Sequence, residues 1–248
     1  MPENDHVDVA GEPIPIETAI TVTRGYCLGK ETTTWVGPKT GVGDDVGRLS
    51  VGAFAFATYD GIAPGTSADI EPIDVLVADG LNAQMRARDI AGALAVGREI
   101  GEQIARIDES GVKFWTLSLD QVSKAPSEQS APEWPLWRAW TILMGVPGIE
   151  VARAHKILHH KRPAVFPLID NETTPWLRKG GSAWATVHRD LTSTASAWSE
   201  LEVVVGQALA GTGTAVPTRL RLHDILLWAR VTNRWEAAVA AGERLRFD

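Results

Sequence analysis

The sequence WPLWRAWTILMGVPGIEVARAHKILHH, residues 134–160, predicts two helices joined by a tight turn. The proline near its start suits the first turn of a helix, where the missing N–H leaves no hydrogen bond unmade. Gly145-Val146-Pro147-Gly148 interrupts the helical pattern, and apolar residues flank it on both sides. We therefore predict one helix over residues 134–144 and a second over about 149–160.

This arrangement is the layout of a helix-hairpin-helix. Glycine in the turn lets backbone N–H groups at the start of the second helix approach a phosphate, and the positive end of the helix dipole favours the anion. Basic side chains on and after the second helix extend the same face. The candidate contacts with the DNA backbone are Gly145, Gly148, Arg153, Lys156, Lys161 and Arg162. The same turn also describes any tight connection between two helices, and this structural reading stays open.

Charge is unevenly distributed along the 248 residues. Residues 1–133 carry 10 basic and 21 acidic side chains, whereas residues 134–190 carry 8 basic and 4 acidic ones. A basic segment inside a chain of net charge -7 is what a localised phosphate-binding face would look like. Solvated helix faces give the same distribution and are its more common cause.

Residues 147–158, PGIEVARAHKIL, resemble the Pro-Gly-Val-Gly-x-x-Thr-Ala-x-x-x-Leu run of helix-hairpin-helix DNA glycosylases of the endonuclease III superfamily. In that superfamily a catalytic aspartate follows the hairpin, after an apolar stretch that contains proline. Here residues 162–169, RPAVFPLI, lead to Asp170 without a gap. The resemblance covers residues 134–176 and implies a glycosylase-like helical fold that holds double-stranded DNA.

Three departures from the family pattern narrow the implied activity. Glu150 replaces the second hairpin glycine and places a negative charge near any phosphate. Ala152 stands where bifunctional members carry a Schiff-base lysine, and Lys156 lies one turn further on, so the resemblance implies a monofunctional enzyme. Cys27 is the only cysteine, so we expect neither an iron–sulfur cluster nor an internal disulfide.

Asp170 is the catalytic residue that the resemblance implies. Cleavage of an N-glycosidic bond builds positive charge on the sugar, and a nearby carboxylate stabilises that charge and orients or deprotonates the attacking water. Partial desolvation at the end of an apolar stretch strengthens the field of such a carboxylate. The alternative is a helix cap, but Thr174 before Pro175 suits that position better, which leaves Asp170 without a structural duty.

Ten tryptophans against two tyrosines predict a deep aromatic core, a ring-binding pocket, or both. A glycosylase needs such a pocket because the base must flip out of the double helix. The candidate pocket residues are Trp134, Trp137, Trp140 and Trp176, which flank the hairpin and the aspartate. For any single tryptophan, a place in the core is the more common role.

His155 and His159 lie four residues apart on one face of the second predicted helix. The residues between them lack the glutamate of the zinc-protease pattern, and no third ligand follows. We therefore expect no metal ion and no other cofactor, and we expect these histidines at the surface or facing phosphate.

Two further strings, HHKRPAVFPLID at residues 159–170 and LRLHDILLW at residues 220–228, look like an actinobacterial family known only as a domain of unknown function. Residues 73–77 fit its N-terminal part. This second resemblance supplies an expectation about the fold but none about the activity.

The chain as a whole predicts a mainly α fold with an irregular, partly β N-terminal section. We assign that section to residues 1–50, an acidic helical part to residues 51–125, and the hairpin with the C-terminal helices to residues 134–248. A polar linker at residues 119–133 is the best candidate boundary, although we expect the two helical parts to form one compact glycosylase-like unit.

Local patterns predict the individual elements of the first half. Ile20-Thr21-Val22-Thr23 indicates a short strand, because β-branched residues favour strands. Gly97 and Gly101 leave a shallow helix surface that another helix can approach. Long helices are predicted over residues 72–85, 86–108 and 220–241.

These features together predict a monofunctional DNA glycosylase that removes a damaged or modified base and leaves an abasic site, in DNA repair or in antiviral defence against foreign DNA. Two alternatives stay open: a non-catalytic helix-hairpin-helix DNA-binding protein, and a small-molecule hydrolase or binder on the same helical fold. The polar N-terminus and the lack of an apolar run of about 20 residues predict a cytoplasmic protein without membrane contact. The sequence leaves the oligomeric state open.

Overall fold

A computed structural model describes residues 5–36, 46–212 and 215–245 of the chain. Within these residues the protein is mainly helical, which confirms the predicted class, and its strands form two antiparallel pairs near the N-terminus. The strands are β1 (His6–Val9), β2 (Glu12–Pro15), β3 (Lys30–Val36) and β4 (Val46–Gly52). The helices are α1 (Ile16–Leu28), α2 (Phe56–Tyr59), α3 (Pro72–Ala78), α4 (Ala87–Ala95), α5 (Gly97–Ser110), α6 (Leu119–Ser123), α7 (Trp134–Met144), α8 (Val151–Lys161), α9 (Thr174–Leu177), α10 (Ala183–Ser193), α11 (Ala195–Leu209), α12 (Arg219–Val231) and α13 (Trp235–Arg244).

The first two strands form a hairpin that is fixed to the helices by one buried carboxylate. Its two-residue turn has positive φ at both Ala10 and Gly11, the geometry that matches the twist of a hairpin. Asp190 of α10 accepts hydrogen bonds from both turn N–H groups, at 2.6 and 3.1 Å, and lies 2.9 Å from Nε2 of His223. Within residues 5–36 the chain therefore forms regular strands and a helix, where the sequence predicts an irregular, partly β section.

The predicted strand at Ile20-Thr21-Val22-Thr23 is wrong, because these residues lie inside α1. Their β-branched side chains are buried between helices, and this packing outweighs the intrinsic preference for a strand. Glycines let α1 and α13 approach at backbone distance: a Cβ on Gly25 would overlap the carbonyl oxygen of Ala238, and one on Gly242 would overlap that of Thr21.

The helix predicted over residues 72–85 ends early. After α3, residues Asp79–Ala83 form one π-helical turn, and the chain then leaves the helix through left-handed conformations at Asn82 and Gln84. The carboxylate of Asp79 accepts the backbone N–H of Met85 at 2.8 Å and holds this irregular loop. Asparagine tolerates the left-handed region better than most residues, which explains where the helix breaks.

The two other long helices are also divided. Residues 86–108 form α4 and α5 with a break at Val96, and residues 220–241 are divided between α12 and α13 by a turn at Asn233, where φ is 58°. Gly97 and Gly101 are approached by residues 69–70, which lie in a loop rather than in a helix, and the carbonyl of Gly97 accepts the N–H of residue 70 at 3.2 Å.

One apolar core, running in sequence from Val7 to Ala238, joins all three predicted segments. The polar linker is attached to this body, since Nε1–H of Trp137 donates to the carbonyl of Gln121 at 2.8 Å. Of the helices in the described ranges, none is both long enough and apolar enough to cross a lipid bilayer.

Candidate active site

The predicted hairpin is present as α7, a turn and α8. Gly145 closes α7 with helical backbone angles, whereas Gly148 has φ of 89°, in the region that favours glycine. A Cβ on Gly148 would overlap the carboxylate of Asp89, so this side chain from the first turn of α4 packs against the hairpin turn. The turn is thus covered in part by a carboxylate of the chain itself.

Arg153 fastens the hairpin to the loop before α4. Its guanidinium donates to the carbonyls of Ala83 (2.9 Å), Gln84 (2.8 Å) and Gly148 (2.5 Å), and to Oδ2 of Asp89 (3.2 Å). The side chain is partly exposed, so its contact with a DNA phosphate stays a prediction. Its charge is already balanced inside the protein.

Lys161 is not available to DNA. Its side chain has 0% exposure, and Nζ lies 2.8 Å from Oδ2 of Asp74 and 3.7 Å from Glu71. Burial opposes ionisation of Asp74, but hydrogen bonds from His160 and Lys161 hold the pKa of this carboxyl below its ordinary value. The predicted backbone contact at Lys161 is therefore corrected: the residue closes a buried ion pair.

The two remaining predicted cations have different surroundings. Arg162 makes a two-point pair with Asp108, at 2.7 and 2.5 Å, on the partly exposed surface. Lys156 is buried, and its Nζ donates to the carbonyl of Leu81 at 2.9 Å. Burial lowers the pKa of Lys156, while Asp170 and Asp224 act in the opposite direction. The predicted contact of Lys156 with the DNA backbone is corrected, because the side chain is buried and faces a partly open cavity rather than the outer surface.

That cavity has a volume of about 220 Å³. It lies where α1, the loop after α3, α8, the segment that follows α8, and α12 meet. Its lining combines two rings with several ionisable groups. The lining residues are Tyr26, Ala55, Gly80, Leu81, Asn82, Lys156, Leu168, Asp170, Glu172, Arg221, Asp224 and Trp228.

The two carboxylate oxygens of Asp170 have different surroundings. Its Oδ1 accepts the backbone N–H groups of Glu172 and Thr173, each at 2.9 Å, and the hydroxyl of Thr173 at 3.1 Å. The structure thus corrects the expectation that Asp170 has no structural duty, since it closes the turn before α9 while Thr174 is already helical. No hydrogen bond to Oδ2 occurs within the described residues, so half of this carboxylate is uncommitted.

Asp224 belongs to a buried charge network on α12. Arg221 donates to Asp60 at 2.7–2.9 Å, to the hydroxyl of Tyr26 at 2.9 Å, and to Oδ2 of Asp224. Oδ1 of Asp224 is buried and has no hydrogen-bond partner among the described residues. Burial raises the pKa of Asp224 to about 7; Arg221 opposes the rise, and the charges of Asp170 and Asp60 add to it.

The predicted tryptophan pocket does not lie at this cavity. Trp137 and Trp140 line a separate cleft of about 200 Å³, together with His155 and Trp184. Ile169 lines this cleft, whereas its neighbours in sequence on both sides line the Asp170 cavity. The two spaces therefore lie on opposite sides of one chain segment, and the base-pocket assignment of Trp137 and Trp140 is corrected.

The two other predicted pocket residues line neither space. Trp134, at the start of α7, and Trp176, in α9, are half-buried. Nζ of Lys179 lies 3.6 Å from the ring centre of Trp176, a cation–π contact at the surface. The rings at the Asp170 cavity are instead Tyr26 and Trp228.

The histidines of α8 are internal rather than solvent- or phosphate-facing. The Nδ1–H of His155 donates to the carbonyl of Pro167 at 2.6 Å, and that of His159 donates to Phe166 at 2.7 Å. In these tautomers Nε2 of His155 accepts the indole N–H of Trp184 at 3.3 Å. Burial lowers the pKa of both histidines to about 3. Across the described ranges, no group of three or more His, Cys, Asp or Glu side chains is placed to hold a metal ion.

Sequence reasoning missed Tyr26, Arg221, Asp224 and Trp228. The sequence does carry a signal for Arg221 and Asp224. These two charged residues lie three apart in LRLHDILLW, which is otherwise largely apolar, and this pattern indicates a buried ion pair. Tyr26 carries no such signal, because only the folded chain brings it to α12.

Comparison with curated proteins and with solved structures gives no match. A family profile does match residues 46–231, three quarters of the chain, and this range includes the three strings at residues 73–77, 159–170 and 220–228. The chain therefore belongs to this family of unknown function, DUF6308.

Proposed function

We propose that the protein is a monofunctional DNA glycosylase, which hydrolyses the N-glycosidic bond of a damaged or modified base. One observation carries the proposal: Asp170, the aspartate that follows the hairpin, lines a cavity together with two aromatic rings, two further carboxyl groups and a buried amine. The resemblance of residues 134–176 to helix-hairpin-helix glycosylases supports the same reading. The biological setting is repair, or antiviral defence against foreign DNA.

The cavity suits a single flipped base. A cavity of about 150 Å³ is enough to hold benzene, so about 220 Å³ leaves room for a nucleobase but little more. Trp228 supplies a ring surface for stacking, and Tyr26, itself stacked on Phe54, forms part of the wall beside it. The free Oδ2 of Asp170 stabilises the positive charge on the sugar as the bond breaks, and takes a proton from the attacking water.

The backbone contacts of this proposal differ from those that the sequence predicts. Exposed cations without an internal two-point pair follow the cavity-lining segments on both sides: Arg86 and Arg88 after the loop of Leu81, and Arg178 and Lys179 after Asp170. We assign the main phosphate contacts to these residues, with the hairpin turn between Gly145 and Gly148 beside them. Such contacts make DNA binding sensitive to salt.

The test is base release from DNAs of different modification, detected by mass spectrometry with the full chain. We expect Asp170→Asn to lower release by about 100-fold or more, because it removes the charge that stabilises the transition state. The amide oxygen of asparagine still accepts the N–H groups of Glu172 and Thr173, so the turn is kept. Asp120→Asn, the same change at an exposed site on α6, serves as the matched control.

Salt-sensitive gel shifts complete this experiment. We expect Asp170→Asn to bind DNA as tightly as the unmodified protein does. Unchanged base release in Asp170→Asn would refute the catalytic assignment. Salt-sensitive DNA binding without base release from any DNA would indicate a non-catalytic DNA-binding protein instead.

A small-molecule N-glycoside hydrolase is the second candidate. The specific observation in its favour is that the predicted hairpin cations Arg153, Lys156, Lys161 and Arg162 all bond to groups of the chain itself. Release of base from free nucleosides, insensitive to salt and to competing DNA, would select this candidate over the first.

A further inference from the structure

We infer that Asp224 is the second catalytic residue of the cavity, and that it delivers a proton to the departing base. The inference rests on the proposed function, and it extends that function by assigning the acid of the reaction. The observation behind it is geometric: Asp224 lines the cavity, is 3% exposed, and has an oxygen atom, Oδ1, with no hydrogen-bond partner in the described part of the chain.

An unpartnered buried oxygen is costly, because the group has lost water without gaining a bond. At Asp224 the cost falls on one atom only, since Oδ2 is held by Arg221. That contact fixes the orientation of the carboxyl group. Oδ1 is left without a partner at a residue that lines the cavity, and it can donate a hydrogen bond only in its protonated form.

The surroundings favour this protonated form. Arg221 is already paired with Asp60, so the guanidinium is shared between two carboxyl groups. Ionisable groups that face Asp224 come from every element around the cavity. They are Tyr26 of α1, Asp60 after α2, Lys156 of α8, Asp170 and Glu172 before α9, and Arg221 of α12 itself.

Negative groups outnumber positive ones in this set. Burial raises the pKa of Tyr26, so its phenol stays neutral, and three carboxyl groups then face Lys156 and Arg221. Burial raises the pKa of Asp224 to about 7; Arg221 opposes the rise, and the negative charges of Asp170 and Asp60 add to it. A carboxyl group with this pKa is protonated in about half of the molecules at pH 7 and gives up its proton readily, as an acid catalyst must.

The two aspartates then divide the reaction between them. The C1′–N bond breaks, its electron pair goes to the base, and the base receives the proton from Oδ1 of Asp224. The water oxygen bonds to C1′, and a water proton passes to Asp170. Afterwards Asp170 gives its proton to solvent and Asp224 takes one up, which restores the starting state without any co-reactant.

The experiment compares bases that need a proton with bases that do not. Duplex DNA containing hypoxanthine or N6-methyladenine presents a neutral leaving group, whereas DNA containing 7-methylguanine or 3-methyladenine presents a ring that already carries a positive charge. We expect Asp224→Asn to lower release of neutral bases by about 100-fold, the usual scale of acid catalysis, and to change release of cationic bases by less than about threefold.

Three readouts separate a proton donor from a structural residue. Release of cationic bases by the same Asp224→Asn preparation shows that the variant is folded. The rate at which the unmodified protein releases neutral bases should fall above pH 7. In Asp224→Asn this decrease with pH should be absent. Asp224→Glu should restore part of the lost activity, and Asp170→Asn should lose both classes of base alike.

The failures of the two proposals look different. An unmodified protein that releases no base from any of these DNAs overturns the proposed function and this inference with it. Equal loss of both classes in Asp224→Asn, full activity in that variant, or an unmodified protein that releases only cationic bases overturns the role of Asp224 alone. In those three cases the glycosylase proposal stands.

Discussion

Asp74 and Asp224 are both almost fully buried carboxyl groups, yet their surroundings are opposite. Asp74 uses both oxygens: Oδ1 faces His160, and Oδ2 accepts from Lys161 and from the backbone. Asp224 uses only one oxygen, which accepts from Arg221, and the guanidinium of Arg221 also pairs with Asp60. The first pKa lies below its ordinary value and the second rises to about 7. Burial alone therefore does not decide the direction in which the pKa of a carboxyl group moves; the charges and hydrogen bonds around it do.

The sharpest test of this comparison is stability. Asp74→Asn leaves the ammonium of Lys161 buried without its close partner, and we expect the free energy of unfolding to fall by about 3 kcal/mol. Asp224→Asn removes a charge that burial and its neighbours already disfavour, so we expect a loss below about 1 kcal/mol. Urea denaturation of both variants at pH 7 measures the difference. Equal losses would show that the two carboxyl groups are both structural.

A smaller effect concerns a second unpartnered atom, Nε2 of His159. Its folded-state pKa of about 3 lies below the ordinary 6.5, so its contribution to stability is present above pH 6.5 and is lost as the pH falls towards 3. The contribution of Asp224 has the opposite sign: it is present below pH 3.8 and is lost as the pH rises to about 7. In both cases the uncharged form fits the folded protein.

We expect this histidine to account for roughly 2 kcal/mol of unfolding free energy lost between pH 7 and pH 5. His159→Asn removes the titration and keeps a donor for the carbonyl of Phe166. Urea denaturation at the two pH values should therefore show a weaker pH dependence in the variant. The same dependence in both proteins would mean that this ring is not kept neutral by burial.

The smallest expected effect distinguishes the two ring-lined spaces. Trp228→Leu removes a ring from the Asp170 cavity and should raise the KM for base release by about tenfold, since stacking on one base contributes about 1–3 kcal/mol. Trp140→Leu makes the same change in the other cleft and should leave KM unaltered. A larger effect at Trp140 would place the base in that cleft instead.

The sequence was most informative where the signal is local. The two helices of the hairpin begin and end within about two residues of their predicted positions, because proline, glycine and helical periodicity act over a single turn. The same rules failed for Ile20-Thr21-Val22-Thr23, where packing of α1 outweighed propensity. They also missed the break at Val96, although Gly97 follows it directly.

For the site, sequence reasoning reached Asp170 but not its surroundings. Trp137 and Trp140 were assigned to its pocket because they are close in sequence, yet α7 directs them to the other side of the segment at Ile169. The charge of Lys161 predicts a contact with DNA, but its ammonium forms a buried ion pair with Asp74, which lies 87 positions away in the chain. Contacts of such separation depend on the folded chain, and no local pattern encodes them.

The close backbone contact between α1 and α13 has a practical consequence. Both helices lie outside residues 46–231, the range shared with the family, yet α1 supplies Tyr26 to the cavity and a hydroxyl to Arg221. A fragment cut at the family boundaries would lack Tyr26, which forms part of the wall of the Asp170 cavity. Protein for crystallisation or assay should accordingly include every element from β1 to α13.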